Sequence, residues 1–340
     1  MAQIVLDNLG ALDNVIDNIL RWSCPVSKPE VLQIGPYPTW DQEPLEAAFT
    51  MHRLFESADK AAFLNDHGAN TRAIATRGDL GASRELIEAC PRLEIISVYG
   101  VGYDAVDLGA ARARNIRVTN TPDVLTADVA DLGVAMMMCL SRGMTGAERW
   151  VRDGSWSTKG LYPLQRKVSG KRVGILGLGR IGFEVARRLQ GFDMKIAYSS
   201  RSPKPEADGW SFVADPAVLA AQSDFFFVTL AASATTRHIV NSKVINAIGP
   251  EGMLINISRA SNIDEEALLD ALEKGTLGSA ALDVFEGEPN LNPRFLKLEN
   301  VLLQPHHASG TFETRKAMGK LLRDNLTAHF EGRTLPTPVF

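Results

Sequence analysis

Residues 173 to 182 read Val-Gly-Ile-Leu-Gly-Leu-Gly-Arg-Ile-Gly, an apolar run that breaks into three glycines, Gly177, Gly179 and Gly182, at the spacing G-x-G-x-x-G. A strand that turns sharply into a helix around a dinucleotide needs this arrangement. The first glycine permits the tight turn, the second lets the backbone approach a pyrophosphate, and the third lets helix and strand pack closely, with the phosphate at the positive helix N-terminus. Three glycines at that spacing also arise by chance, so the flanks decide. Gly170-Lys-Arg opens the run, and Val185, Ala186 and Leu189 recur beyond it at helical spacing. Met194-Lys-Ile-Ala-Tyr-Ser-Ser then begins where the next parallel strand of a βαβ unit belongs.

A chain of 340 residues is about twice a typical domain, so two domains are expected. Hydrophobic residues at 45% and charged ones at 22% are ordinary for a globular protein and exclude collagenous, disordered and disulfide-dense classes. The net charge of -4 provides no basic footprint for nucleic acid and no polybasic membrane patch. Cys24, Cys90 and Cys139 are odd in number, far apart and without a C-x-x-C, which reads as structural thiols in a reducing compartment and no metal site. The N-terminus lacks the charged and apolar regions of a leader, and no run reaches the length of a membrane span. The expected location is the cytoplasm.

Along the chain, Leu9, Leu12, Ile16 and Ile19 suggest an initial helix. Strands are expected at Val31–Gly35, Ala73–Gly78 and Leu93–Gly100, with helices at Leu45–Leu54 and Glu85–Ala89 between them. Alternating strands and helices predict a parallel sheet. The last strand ends in Tyr99-Gly-Val-Gly-Tyr-Asp, and ligands of open parallel sheets collect outside the carboxyl ends of strands. Tyr99, Gly100, Val101 and Gly102 are therefore candidates for holding a substrate carboxylate, as are Arg77 and Gly78 at the same topological position. Tyr99 and Tyr103 suggest a small, filled pocket.

Thr126 is expected to cap a helix over Ala127–Leu140, apolar nearly all round and so destined for a core or a subunit interface. A helix and an extended arm are expected over 143–169. Asp224–Leu230 and Gly252–Ser258 read as central strands, Asp264–Leu272 as an amphipathic helix, Ala280–Phe285 and Val301–Pro305 as the last strands, and Glu313–Glu331 as a helix returning to the first domain.

Five separated motifs resemble the D-isomer-specific 2-hydroxyacid dehydrogenases, in the branch of the glyoxylate/hydroxypyruvate and hydroxyphenylpyruvate reductases. They are Tyr99-Gly-Val-Gly-Tyr-Asp, Gly177-Leu-Gly-Arg-Ile-Gly, Ile255-Asn-Ile-Ser-Arg-Ala, Ala281-Leu-Asp-Val-Phe-Glu-Gly-Glu-Pro and Gln304-Pro-His-His-Ala-Ser-Gly-Thr. The resemblance implies that Arg259 binds the substrate's carboxylate and carbonyl, that Glu288 pairs with His306, and that His306 is the general acid. It places Asp283 near the nicotinamide amide. Cofactor contacts are expected from Arg180 and Ile181 within the glycine motif and from Leu230 and Ile257 at the ends of the two apolar runs. His307 stands where the family has an apolar residue, either as a bystander or as a second titrating group.

The residues' own chemistry agrees. A planar guanidinium grips a carboxylate through two bonds, and reduction of a 2-keto acid needs a hydride on carbon and a proton on oxygen. A histidine backed by a carboxylate can supply that proton near neutral pH. An NAD enzyme places a carboxylate about 20 residues past the glycines to hold the ribose. Here that strand ends Ser199-Ser-Arg-Ser, and Ser199, Ser200, Arg201 and Ser202 suit a 2'-phosphate, so NADPH is expected ahead of NAD.

The expected architecture is α/β, with two Rossmann-like parallel-sheet domains and a cleft between them. A flavodoxin-like substrate domain comprises residues 1–118 and 308–340, and an NAD(P)-binding domain comprises 119–307. The expected reaction is NADPH-dependent reduction of glyoxylate or hydroxypyruvate, with a bulkier 2-keto acid such as hydroxyphenylpyruvate as alternative substrate and a non-catalytic dinucleotide sensor as alternative function. A homodimer through the 127–140 helix and its arm is implied by the resemblance.

Overall fold

The computed structural model describes residues 28–340, so the helix expected over 1–20 and Cys24 lie outside the described residues. Two parallel sheets organise the rest. The first contains β1 (Glu30–Gln33), β2 (Thr50–Arg53), β3 (Ala73–Arg77), β4 (Ile95–Tyr99) and β5 (Arg117–Thr119) in the order β2-β1-β3-β4-β5. The second contains β6 (Arg172–Leu176), β7 (Lys195–Ser199), β8 (Ser211–Phe212), β9 (Phe225–Val228), β10 (Met253–Asn256), β11 (Ser279–Leu282) and β12 (Val301–Leu303) in the order β12-β11-β10-β9-β6-β7-β8. These are the flavodoxin-like and dinucleotide-binding orders, each with a switch point where chain direction across the sheet reverses. The near-continuous apolar runs are the central strands: Phe225, Phe226 and Phe227 are fully buried, because helices cover both faces.

The helix expected over 45–54 divides differently. A helix runs Thr39–Ala48, Phe49 turns extended, and Thr50–Arg53 pairs with β1 as an edge strand. Leu45 and Leu54 are both buried, but on different elements, so their spacing carried no helical meaning. Thr126 does not cap either. It is the first helical residue of Thr126–Ser141, reached by a turn in which its amide donates to the Asp123 carbonyl at 3.1 Å, with Asp123 in the left-handed region at φ 68°. That helix is buried on one side only: Val129, Ala130, Gly133, Met136 and Met137 pack on the glycine-loop helix and the second sheet, while Ala135 is exposed and Leu132 and Met138 are half-buried.

The helix Phe312–Phe330 returns to the first sheet and packs on β4 and on Thr39–Ala48. Met318, Leu322 and Leu326 form its buried stripe at helical spacing. Thr311 caps it by accepting the Thr314 amide, and the Thr311 hydroxyl also donates to Asp128 on the helix following the crossover. The two segments that cross between the sheets are thus tied to each other beside the cleft.

Candidate active site

The glycine loop fits a dinucleotide. A Cβ on Gly182 would lie 2.2 Å from the Gly177 carbonyl oxygen, and one on Gly177, whose φ is 104°, would lie 2.9 Å from the Leu230 amide nitrogen. Both glycines serve packing. Gly179 is different, since a Cβ there would meet nothing within 4 Å, leaving clearance for a ligand beside the backbone. It precedes the helix Arg180–Gln190, whose first turn has no side-chain cap, so its amides are free for a phosphate. Leu230 lies against Gly177, Ile257 is buried against Gly133 of the Thr126–Ser141 helix, and Ile181 packs half-buried on the core.

The expected phosphate cluster is divided. Ser199 is buried and its hydroxyl donates to the Ala214 carbonyl, so it faces the sheet and not a ribose. Ser200, Arg201 and Ser202 form the rim, with the Ser200 hydroxyl bonded to the Ser202 carbonyl. Arg201 is exposed and makes no ion pair among the described residues. Arg180 is paired with Asp123 at 2.8 Å across the crossover.

On the same sheet as the glycine loop, Arg259 follows β10 in a turn held by Asn256. Asn256 Oδ1 accepts the Ser258 amide at 3.0 Å and hydroxyl at 2.7 Å, and its Nδ2 donates to the Arg259 carbonyl at 3.2 Å. The guanidinium so presented reaches the first domain: Nε donates to Asp104 at 3.2 Å, and Nη2 lies where a Cβ on Gly102 would be, 1.7 Å away. A Cβ on Gly78 would be 3.7 Å from the same nitrogen and 2.7 Å from the Gly102 carbonyl oxygen. Glycine at 102 and 78 is what lets the guanidinium and the loop meet. The loop itself is pinned from behind, as Asn120 donates to the Val101 carbonyl at 2.8 Å and the Gly100 amide donates to Thr121 at 3.0 Å. Gly100's N–H is therefore occupied. The amides of Val101 and Gly102 have no protein acceptor among the described residues and remain for a ligand.

His306 follows β12 with φ 50°, and its Nδ1 is 2.6 Å from Glu288 Oε2. The other carboxylate oxygen of Glu288 accepts the Phe285 amide at 2.7 Å. Burial raises the Glu288 carboxyl, but bonds from His306 and the Phe285 amide, with the charge of Arg259 behind them, bring it below the usual range. A carboxylate that stays ionised keeps Nδ1 protonated and leaves Nε2 to serve as the acid. Asp283 is buried, and its two oxygens accept the amides of His307 and Ala308 at 2.9 and 3.0 Å. Burial pushes its carboxyl up, the two amides opposing. Its observed work is to fix the loop bearing His306. His307 turns away, with Nε2 2.7 Å from Gln304 Oε1.

Tyr99, expected beside a filled pocket, points inward instead. Its hydroxyl donates to the Arg315 carbonyl at 2.8 Å, next to an open cavity. Asp104, Asn120, Thr121 and Asn256 were not anticipated as parts of the site. Asp104 and Asn256 sit inside motifs already singled out, but only the fold shows what they touch.

Residues 134–308 match the model of the D-isomer specific 2-hydroxyacid dehydrogenase NAD binding domain. The chain belongs to that family. It is thus an oxidoreductase that uses a nicotinamide cofactor. Glyoxylate/hydroxypyruvate reductase A of Arabidopsis thaliana is 44% identical over 91% of this chain and 98% of its own length. Among solved structures, a 2-hydroxyacid dehydrogenase from Ketogulonicigenium vulgare Y25 is 72% identical with a TM-score of 0.87, covering 93% of this chain and 99% of that one. An NADPH-dependent glyoxylate/hydroxypyruvate reductase from Sinorhizobium meliloti, in complex with NADP and malonate, is 42% identical with a TM-score of 0.87, covering 92% and 97%. In this 2-hydroxyacid dehydrogenase, Arg259 and the His306–Glu288 pair come from the second sheet and meet the 101–102 loop of the first sheet.

Proposed function

We propose that this dehydrogenase reduces a small 2-keto acid, glyoxylate or hydroxypyruvate, with NADPH. The observation carrying the reading is the 2.6 Å His306–Glu288 bond at the end of β12, with Arg259 close enough to Glu288 to depress its carboxyl. When bound, the nicotinamide supplies the hydride. Arg259 pairs with the substrate carboxylate, and the amides of Val101 and Gly102 donate hydrogen bonds to its oxygens. His306 Nε2 donates the proton to the developing alkoxide, and Glu288 stabilises the imidazolium before transfer and orients the ring throughout. Arg180, Ile181, Leu230, Ile257 and the three glycines hold the dinucleotide. Arg201, with Ser200 and Ser202, takes the 2'-phosphate, and Asp283 positions the His306 loop at the nicotinamide end. We assign residues up to 118 and from 308 to the substrate domain and 119–307 to the cofactor domain; the two sheets support this division, with Thr119 still the last residue of β5.

A homodimer fits the exposed apolar surface after the Thr126–Ser141 helix. Leu161 is 87% and Leu164 100% exposed, and Met144, Val151 and Trp156 on the same arm are more than half exposed. Such a run needs a partner face, and light scattering at monomer mass would refute it. A cytoplasmic location fits the two free thiols among the described residues, one of which, Cys90, is buried and pushed up to about 11 by that burial. No helix among the described residues is long and apolar enough to cross a membrane.

The test is NADPH oxidation over a panel of 2-keto acids, hydroxyphenylpyruvate included, with wild type and His306→Gln. Turnover of glyoxylate or hydroxypyruvate that falls by about 10²-fold or more in the variant, at unchanged NADPH affinity, supports the reading. Tight NADPH binding with no turnover of any 2-keto acid would favour a sensor.

A further inference from the structure

The two amides that remain for a ligand, those of Val101 and Gly102, each belong to a peptide group whose carbonyl is held from behind. In a trans peptide the C=O and N–H point in opposite directions, so fixing the oxygen fixes the hydrogen. The Gly100 carbonyl shares its peptide with the Val101 amide and accepts the Thr121 amide at 2.9 Å. The Val101 carbonyl shares its peptide with the Gly102 amide and accepts Asn120 Nδ2 at 2.8 Å. Both donors lie just after β5, where the chain leaves the first sheet.

The end of the chain holds that segment in turn. Pro338 bridges to Thr119 in antiparallel sense, and the Val339 amide donates to the Val118 carbonyl at 2.8 Å, so the tail extends the first sheet beyond β5. Beside it, the Thr337 hydroxyl donates to the Asn120 carbonyl at 2.6 Å and accepts Asn325 Nδ2 at 2.8 Å. Asn325, fully buried on the Phe312–Phe330 helix, also accepts the Thr337 amide at 3.1 Å and donates to the Leu321 carbonyl at 2.8 Å. These bonds run in one direction. Asn325 donates to the Thr337 hydroxyl, which donates to the Asn120 carbonyl; that peptide's N–H is the Thr121 amide, which donates to Gly100; and that peptide's N–H is the Val101 amide. The last donor has no protein acceptor among the described residues. Hydrogen bonds aligned head to tail polarise one another, so each link strengthens the donor at the open end.

We infer that Thr337 is a positioning residue for the substrate carboxylate: acting through Asn120 and Thr121, it sets the direction and donor strength of the Val101 and Gly102 amides beside Arg259. The inference rests on the reductase reading and gives the C-terminal segment a part in its substrate affinity. A hydroxyl that only fastened the tail to the last helix would contribute to stability and leave substrate affinity alone, and the assay separates the two roles.

The experiment measures kcat and KM for glyoxylate at saturating NADPH, and the affinity of oxalate for the enzyme–NADP complex by calorimetry. The proteins compared are wild type, Thr337→Val, Thr337→Ser and Val339→Ala, each well below its melting temperature. Thr337→Val keeps the shape and removes the hydroxyl, and it should raise the glyoxylate KM and the oxalate Kd together by about threefold to tenfold, with kcat and NADPH affinity little changed. Thr337→Ala carries the same test if valine is not accommodated. Thr337→Ser restores the hydroxyl and should return both constants close to wild type. Val339→Ala loosens the same tail outside the relay, and should lower the melting temperature without moving either constant. Unchanged constants in a folded Thr337→Val, or an equal rise in Val339→Ala, would overturn the relay while leaving the reductase reading intact. If no 2-keto acid is turned over, the reductase reading fails, and the oxalate affinities still decide the relay.

Discussion

Replacing Glu288 by glutamine keeps the side chain's size and a carbonyl oxygen for the Phe285 amide, but removes the negative charge facing His306. The lost interaction is a charge-assisted bond of 2.6 Å between groups about one-third exposed, at 36% and 28%. Bonds of this kind contribute about 1.5–3 kcal/mol, and partial exposure argues for the lower half of that range. Since about 1.4 kcal/mol corresponds to one pH unit, the pH at which reduction falls off should move down by about one unit. On the alkaline side of that limb the variant would then reduce its substrate about tenfold more slowly than the wild type at the same pH, and acidification by one unit would restore most of the loss. The assay is kcat/KM for reduction across pH, with cofactor affinity measured in parallel. A uniform loss at every pH, with the falling limb in place, would refute the electrostatic role and leave Glu288 a purely steric support. An unchanged profile would remove it from the mechanism.

The glycine loop yields a paired test. Gly182→Ala should destabilise the fold by about 1–3 kcal/mol, because its methyl would enter the Gly177 carbonyl at 2.2 Å, and thermal unfolding would show it. Gly179→Ala should leave the melting temperature alone, since its Cβ would meet no protein atom within 4 Å, and on the proposed binding mode it should weaken NADPH binding at least tenfold. Arg201→Ala should raise KM for NADPH about tenfold or more with little change for NADH; equal effects on both would end its assignment to the 2'-phosphate. Acid should unfold the protein as carboxyl groups held below their usual range become protonated. For Asp224 the cause is the Arg172 pair; for Glu94, burial opposes but the Arg72 and His329 bonds prevail. Their contribution is present above the unfolded values near 4 and disappears as pH falls through the lower folded ones. Urea midpoints should thus be level from about pH 6 to 5 and decline below about pH 4, and a midpoint that rises on acidification would contradict this.

The architecture was legible because its signals are local. Phe225–Val228 and Met253–Asn256 read as buried strands from composition, and the three glycines fixed one strand-turn-helix unit. Errors arose where a local pattern had two causes. Leu45 and Leu54 looked like one helix because each is buried, while the chain between them becomes an edge strand that only pairing with β1 specifies. The Ser199 hydroxyl looked like a phosphate ligand, since sequence does not say which face of a strand end is turned to the sheet.

For the site, sequence determined residue types and their positions at strand ends: Arg259, Glu288, His306, the loop at 99–104 and the absence of a carboxylate after β7. Tertiary structure decided what those positions touch. Only folding brings Asp104 to Arg259 over 155 residues, occupies Gly100's amide with Thr121, and turns Tyr99 away from the loop to line a cavity with Arg315. The physical reason is that backbone periodicity and turn chemistry are properties of neighbours in the chain, whereas hydrogen-bond partners and empty volume belong to elements that meet only after both sheets are assembled.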